Sequence, residues 1–139
     1  MKFISPNPDG TEAIGRTLAL RAKPGEIIAL YGGMGAGKTT LTRGILAGFG
    51  YTGSVTSPTF SIVNEYDTPK GRVCHFDMYR ITSEEALLDI GWEDYLKRGD
   101  ILIVEWCENI AQALPEHFTK VTLEFGPHET ARSIDIEKV

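Results

Sequence analysis

The stretch LYGGMGAGKTT, Leu30 to Thr40, decides how this chain is read. Gly32, Gly37, Lys38 and Thr39 fit the spacing G-x-x-x-x-G-K-[ST], the phosphate-binding P-loop. Glycine lets the backbone take positive φ and wrap closely around an anion. Loop amides, here those of Gly33, Gly35, Ala36, Gly37, Lys38, Thr39 and Thr40, then point inward at phosphate oxygens. The helix that follows adds its partially positive N-terminus. In this pattern Lys38 reaches the β- and γ-phosphates of ATP, and the Thr39 hydroxyl coordinates Mg²⁺. Mg²⁺ takes oxygen ligands and keeps several waters, so one hydroxyl and one carboxylate suffice.

The flanking residues supply the context the motif needs. EIIALYG, Glu26 to Gly32, is a continuous apolar run of the kind found in strands buried on both faces. KTTLTRGILAGFG follows it, with Leu41, Ile45 and Phe49 recurring every fourth residue as a helical stripe. Gly50 is placed as its C-terminal stop.

Length and composition predict one domain, residues 1–139, large enough for a proper core. The chain is 42% hydrophobic and 24% charged, with a formal net charge of −5. Lys and Arg are scattered, whereas a stable nucleic-acid binder usually carries a basic face. Any service to RNA chemistry is therefore expected to run through partners. No apolar stretch reaches the length of a membrane span, and Met1 to Gly10 shows no signal pattern. Cys74 and Cys107 read as reduced thiols of a cytoplasmic protein. Cys74 and His75 would face opposite sides of a strand, which argues against zinc.

PDGTEAIGRTLALRA reads as a first helix, with Asp9 and Glu12 at capping-box spacing. The regular strand after SVTSP is expected to start near Thr59. The turn cluster DTPKG then joins it to RVCHFDMYR in a hairpin. TSEEALLDIGWEDYL reads as helical from Thr82, with a break near Gly91. ILIVEW, VTLEF and SIDIE read as strands, the last two joined by GPHET. This alternation predicts an α/β fold of the P-loop NTPase type, a three-layer sandwich around a mixed, mostly parallel sheet. Ligands of such sheets bind at the carboxyl ends of the strands, where Lys38, Asp77 and Glu105 all fall.

Glu105 closes a hydrophobic strand, the place where P-loop enzymes keep the acidic residue that holds Mg²⁺. Asp77 is a second candidate, for Mg²⁺ through water or for orienting the attacking water. SVTSPTF offers the hydroxyls of Ser57 and Thr59 as a switch loop that senses the γ-phosphate, or equally as a capped turn and no more. Its low apolar content predicts a segment that packs loosely by itself. Trp92 and Trp106 read as packing residues, with Trp106 also placed to brace the carboxylate before it.

LYGGMGAGKTTLTRG, TSPTFSIVNEY, HFDMYR and IVEW occur in an order and spacing that resembles the TsaE (YjeE) family over nearly the whole chain. The resemblance implies a small cytoplasmic Mg²⁺-dependent P-loop ATPase. In that family TsaE works with TsaD and TsaB to form threonylcarbamoyladenosine in tRNAs that read codons beginning with adenine. It touches tRNA only indirectly, and its hydrolysis drives the cycle while the transfer belongs to TsaD. By position, Lys38 and Thr39 match the family's phosphate and Mg²⁺ residues, and Glu105 its Mg²⁺ carboxylate. Ser57 and Thr59 match its switch-like loop, and Asp77 and Trp106 match residues important to its activity. Thr11 and, more loosely, Arg132 match positions near the nucleotide's base. Gly33 stands where the family usually has Asp, and Cys107 where Pro or Ser is common.

Two other readings compete with this one. A small-molecule kinase would carry an arginine-bearing lid, and the arginines here form no cluster. A nucleotide-dependent binding module would need no hydrolysis. A GTPase is disfavoured by the lack of N-K-x-D.

Overall fold

The computed structural model describes residues 1–58 and 61–139. Thr59, of the candidate switch loop, and Phe60 lie outside the described residues. The elements run β1 (Lys2–Ser5), α1 (Pro8–Arg21), β2 (Ile27–Tyr31), α2 (Lys38–Gly48), β3 (Val63–Thr68), β4 (Gly71–Asp77), α3 (Glu84–Asp89), α4 (Trp92–Arg98) and β5 (Ile101–Glu105). A 3₁₀ segment (Cys107–Ala113), β6 (Thr119–Phe125) and β7 (Arg132–Lys138) complete the chain.

One seven-stranded sheet has the order β1-β7-β6-β2-β5-β4-β3. β6, β2, β5 and β4 are mutually parallel, while β3 and β7 run against their neighbours. Because β1 is antiparallel to β7, it shares the direction of the central four. The mixed, mostly parallel sheet expected from the sequence is the sheet observed.

Period-two burial divides the core into two halves. Ile28 and Leu30 of β2 and Ile103 of β5 pack beneath α1 and α2 with Leu41, Ile45 and Phe49. Ile27, Ala29, Leu102 and Val104 pack on the other face with Phe76, Trp92 and Ile110, below α3, α4 and the 3₁₀ segment. Both faces of β2 and β5 are covered, which is why their sequences are unbroken apolar runs. The sheet is thus the middle layer of three.

α1 and α2 approach closely through small residues. A Cβ at Gly44 would lie 2.2 Å from the Glu12 carbonyl oxygen, and one at Gly15 would lie 2.5 Å from that of Leu41. No larger residue fits there without parting the helices.

Several boundaries depart from the sequence reading. The cap of α1 is Asn7, whose side chain accepts the Gly10 N–H, so Asp9 is only an acidic residue of the first turn. Pro8 at the first helical position moves the start forward. α3 is likewise capped by Ser83, one residue after Thr82, and Gly91 at φ 77° separates it from α4 as expected. β3 begins at Val63, because Ile62 at φ 69° breaks the extended run before it. The sequence reading has no counterpart of β1, which pairs with β7 at the sheet edge, a contact distant in sequence. Among the described residues no helix is long and apolar enough to cross a membrane.

Candidate functional site

The loop between β2 and α2 is shaped by its glycines. Gly32, Gly35 and Gly37 take φ of 151°, 80° and 104°, a region closed to most side chains. At Gly32 a Cβ would also meet the Leu123 carbonyl oxygen at 2.7 Å. Gly37 caps α2 without a side chain, so the first amides of the helix are left for an anion.

Lys38 opens α2 and is buried. Its Nζ donates to the Gly32 carbonyl at 2.7 Å and lies 3.9 Å from Glu105 Oε1. It also sits over the Trp106 ring, 4.8 Å from the centroid. Glu105 ends β5 and is only 4% exposed. Its other oxygen, Oε2, lies 2.5 Å from His75 Nε2. Asp77, at the end of β4, is the register partner of Glu105, and its Oδ1 accepts the Tyr79 N–H at 2.9 Å.

Trp106 takes φ 58° and ψ 42°, a true outlier for a bulky residue. Such strain persists where the surroundings over-determine it. Here it turns the chain sharply after Glu105 and lays the indole between Lys38 and the Tyr79 ring, 4.9 Å away. Trp106 therefore braces the site, whereas Trp92 is a core residue whose indole N–H donates to the Ala113 carbonyl.

Thr11 and Arg132 flank the other side of the loop. A Cβ at Gly37 would have Leu123, Arg132 and Thr11 side chains at 3.7, 3.9 and 3.9 Å. Thr11 is buried and shares a 2.8 Å hydrogen bond with the Ser5 hydroxyl. Arg132 donates to the carbonyl oxygens of Gly35, Glu129 and Ala131, and its guanidinium lies 4.7 Å from the Phe125 ring centroid. Ala36 is buried, while Thr39 and Thr40 are half-buried in the first turn of α2. Gly33 is exposed, with nothing within 4 Å of where its Cβ would stand.

The segment before β3 is anchored more firmly than its composition suggests. Val55 and Pro58 are buried, and the Thr56 carbonyl accepts from Asn64 Nδ2 and the Tyr66 hydroxyl. Ser57 is half-buried there, and among the described residues no hydrogen bond joins it to Lys38 or Glu105.

No group of three His, Cys, Asp or Glu able to hold a metal exists among the described residues. An all-protein cage is thus not on offer, and the donors at hand are the Thr39 hydroxyl and the Glu105 carboxylate. Hard oxygen donors, few in number and beside an anion cradle, fit Mg²⁺, which keeps waters and shares phosphate oxygens. A cleft of about 820 Å³ opens elsewhere, between α3, α4 and the 3₁₀ segment, and contains none of these residues. The loop, by contrast, leaves the first amides of α2 without a side-chain cap and sets Lys38 beside Glu105.

The family model described as threonylcarbamoyl adenosine biosynthesis protein TsaE matches residues 5–134. The chain belongs to the TsaE family. It is similar to the TsaE protein of Bacillus subtilis, 37% identical over 124 residues that cover 89% of this chain and 77% of that protein. The Haemophilus influenzae TsaE protein is 39% identical over 119 residues, covering 86% of this chain and 74% of that one. A crystal structure of YdiB from Bacillus subtilis superposes with a TM-score of 0.82 at 31% identity, covering 100% of this chain and 84% of that one. Like its family, this TsaE chain takes part in making threonylcarbamoyladenosine in tRNA.

One site residue of this TsaE chain escaped the sequence reading. The residue pattern offers His75 only as a zinc ligand, yet it lies against Glu105. Strand parity held the signal: His75 and Asp77 are two apart on β4 and share the α2-facing side with Val73.

Proposed function

We propose that the chain is a Mg²⁺-dependent ATPase that works with TsaD and TsaB and meets tRNA only through that complex. The observation that carries this reading is the 3.9 Å approach of Lys38 Nζ to Glu105 Oε1. It joins the two halves of a phosphoryl-transfer site across the neighbouring parallel strands β2 and β5.

In this reading the amides from Gly33 to Thr40 hold the phosphates, and Lys38 turns from the Gly32 carbonyl to the β- and γ-phosphates. Thr39 and Glu105 would hold Mg²⁺, which neutralises charge on the phosphoryl oxygens. Asp77, steadied by the Tyr79 N–H, orients the attacking water. The side of the loop away from Glu105, with Thr11 and Arg132, takes the ribose and base. Serine and threonine of the segment before β3, Ser57 and Thr59, couple the γ-phosphate to partners.

Two arginines of the chain are engaged away from the γ-phosphate. Arg43 is paired with Glu12 at 3.3 Å on the exposed face of α2, and Arg132 is committed to loop carbonyls. An arginine supplied in trans is worth roughly 10³–10⁵ in rate, so turnover by the isolated chain is slow. The test is phosphate release from ATP by the purified chain, alone and with TsaD–TsaB. Slow turnover that the complex accelerates at least tenfold, with free phosphate as product, is expected. Fast turnover indifferent to the complex contradicts the proposal, and a phosphorylated acceptor replaces it with a kinase.

A further inference from the structure

We infer that His75 is the positioning residue of the metal-binding carboxylate: its Nε2–H fixes one oxygen of Glu105 so that the other faces Lys38 and the loop. The inference rests on the reading of Glu105 as a Mg²⁺ ligand.

Glu105 offers its two oxygens to two different partners. Oε2 lies 2.5 Å from His75 Nε2, and Oε1 lies 3.9 Å from Lys38 Nζ. A carboxylate accepts and cannot donate, so Nε2 carries the proton. The carboxylate plane is thereby clamped from β4, the neighbouring strand, whose backbone is in register with β5.

His75 is fully buried, and its other nitrogen, Nδ1, has no hydrogen-bond partner among the described residues. An unsatisfied buried polar atom costs about 1–3 kcal/mol. Leucine or phenylalanine would fill the same space without that cost, so packing alone does not account for an imidazole here. Its use lies in the bond to Glu105.

The second argument concerns Lys38. Its ammonium serves both the Gly32 carbonyl and Glu105, and a phosphate in the loop draws it away from the carboxylate. Among the described residues, His75 is then the side chain that still holds the Glu105 carboxylate in place. Metal-ligating carboxylates are generally held by such a hydrogen bond, and losing it costs 10–100-fold in metal affinity.

The test compares His75→Leu, which fills the space without a donor, with His75→Gln, whose amide nitrogen can stand where Nε2 stands. Mn²⁺ serves as the probe in place of Mg²⁺, and its affinity for the ADP-loaded protein is read by electron paramagnetic resonance. ADP affinity without metal and thermal unfolding are measured alongside. We expect His75→Leu to weaken Mn²⁺ binding at least tenfold and His75→Gln to stay within about threefold of wild type. Metal-free ADP affinity should be unchanged in both. Should His75→Leu fail to fold, His75→Asn, whose shorter amide reaches only the Nδ1 position, takes its place against His75→Gln. Wild-type Mn²⁺ affinity in the donor-lacking variant overturns the inference, provided that Glu105→Gln loses the metal. If Glu105→Gln also binds Mn²⁺ normally, the assignment of Glu105 itself falls.

Discussion

Cys107 lies two residues after Glu105, in a family position where proline or serine is common, and its thiol donates to the Val104 carbonyl at 2.9 Å. Burial pushes this thiol up from 9.0 to about 12, with Glu108 adding to it. Burial, then Asp100, pushes Cys74 to about 12 as well. The thiolate is the reactive form, so both should resist Ellman's reagent at pH 8 in the folded protein and react at once in denaturant. An unfolded thiol ionises near 9.0 while the folded one holds its proton to about 12. The contribution is intact below pH 9 and is lost as pH rises toward 12. Other single residues were legible to different degrees. Lys38 and Glu105 were evident because a spacing rule and a strand end mark them, whereas His75 was not, because one buried histidine on an apolar strand looks like core. Lys38 is also tied more deeply into the fold than a loop lysine on a surface, since it balances the buried Glu105.

Gly44 and Gly15 show what the helical stripes alone could not. The period of Leu41, Ile45 and Phe49 revealed which face of α2 is buried, but not that α1 crosses it at backbone contact. Gly44→Ala forces a Cβ against the Glu12 carbonyl, and such overpacking costs about 1–3 kcal/mol. The unfolding temperature should fall on the order of 5–10 °C. Gly33→Asp is the control: it restores the residue usual in the family at an exposed position with open space around it, and should unfold like wild type. Equal losses in both variants would contradict the close-packed helix pair. The long apolar runs made β2 and β5 plain at this scale, and the turn DTPKG made the β3–β4 hairpin plain. β1 and the 3₁₀ segment left no such trace. The first is stabilised by pairing with β7 across the length of the chain, and the second is set by the left-handed turn at Trp106.

Across the whole molecule, five strands run one way and deliver Lys38, Asp77 and Glu105 to one edge of the sheet, as the order of motifs implied. The loop then divides that edge. Lys38, Trp106, Glu105 and His75 stand on the β5 side, and Thr11, Phe125 and Arg132 stand on the β6 side. The proposed function uses this division, with the γ-phosphate and metal toward Glu105 and the base toward Arg132. With a net charge of −5, the chain has little to attract RNA directly, which is why the proposed function brings it to tRNA through partners. The central claim is that the loop and Lys38 bind the phosphates of ATP, and calorimetric titration of ATP into wild type and Lys38→Ala tests it most directly. Truncating one partner of a buried charge-assisted contact costs 2 kcal/mol or more, about thirtyfold in affinity. The account predicts a Lys38→Ala protein that remains folded, unfolds somewhat earlier because Glu105 has lost a counter-charge, and binds ATP at least about thirtyfold more weakly. A folded Lys38→Ala protein with wild-type ATP affinity would contradict it.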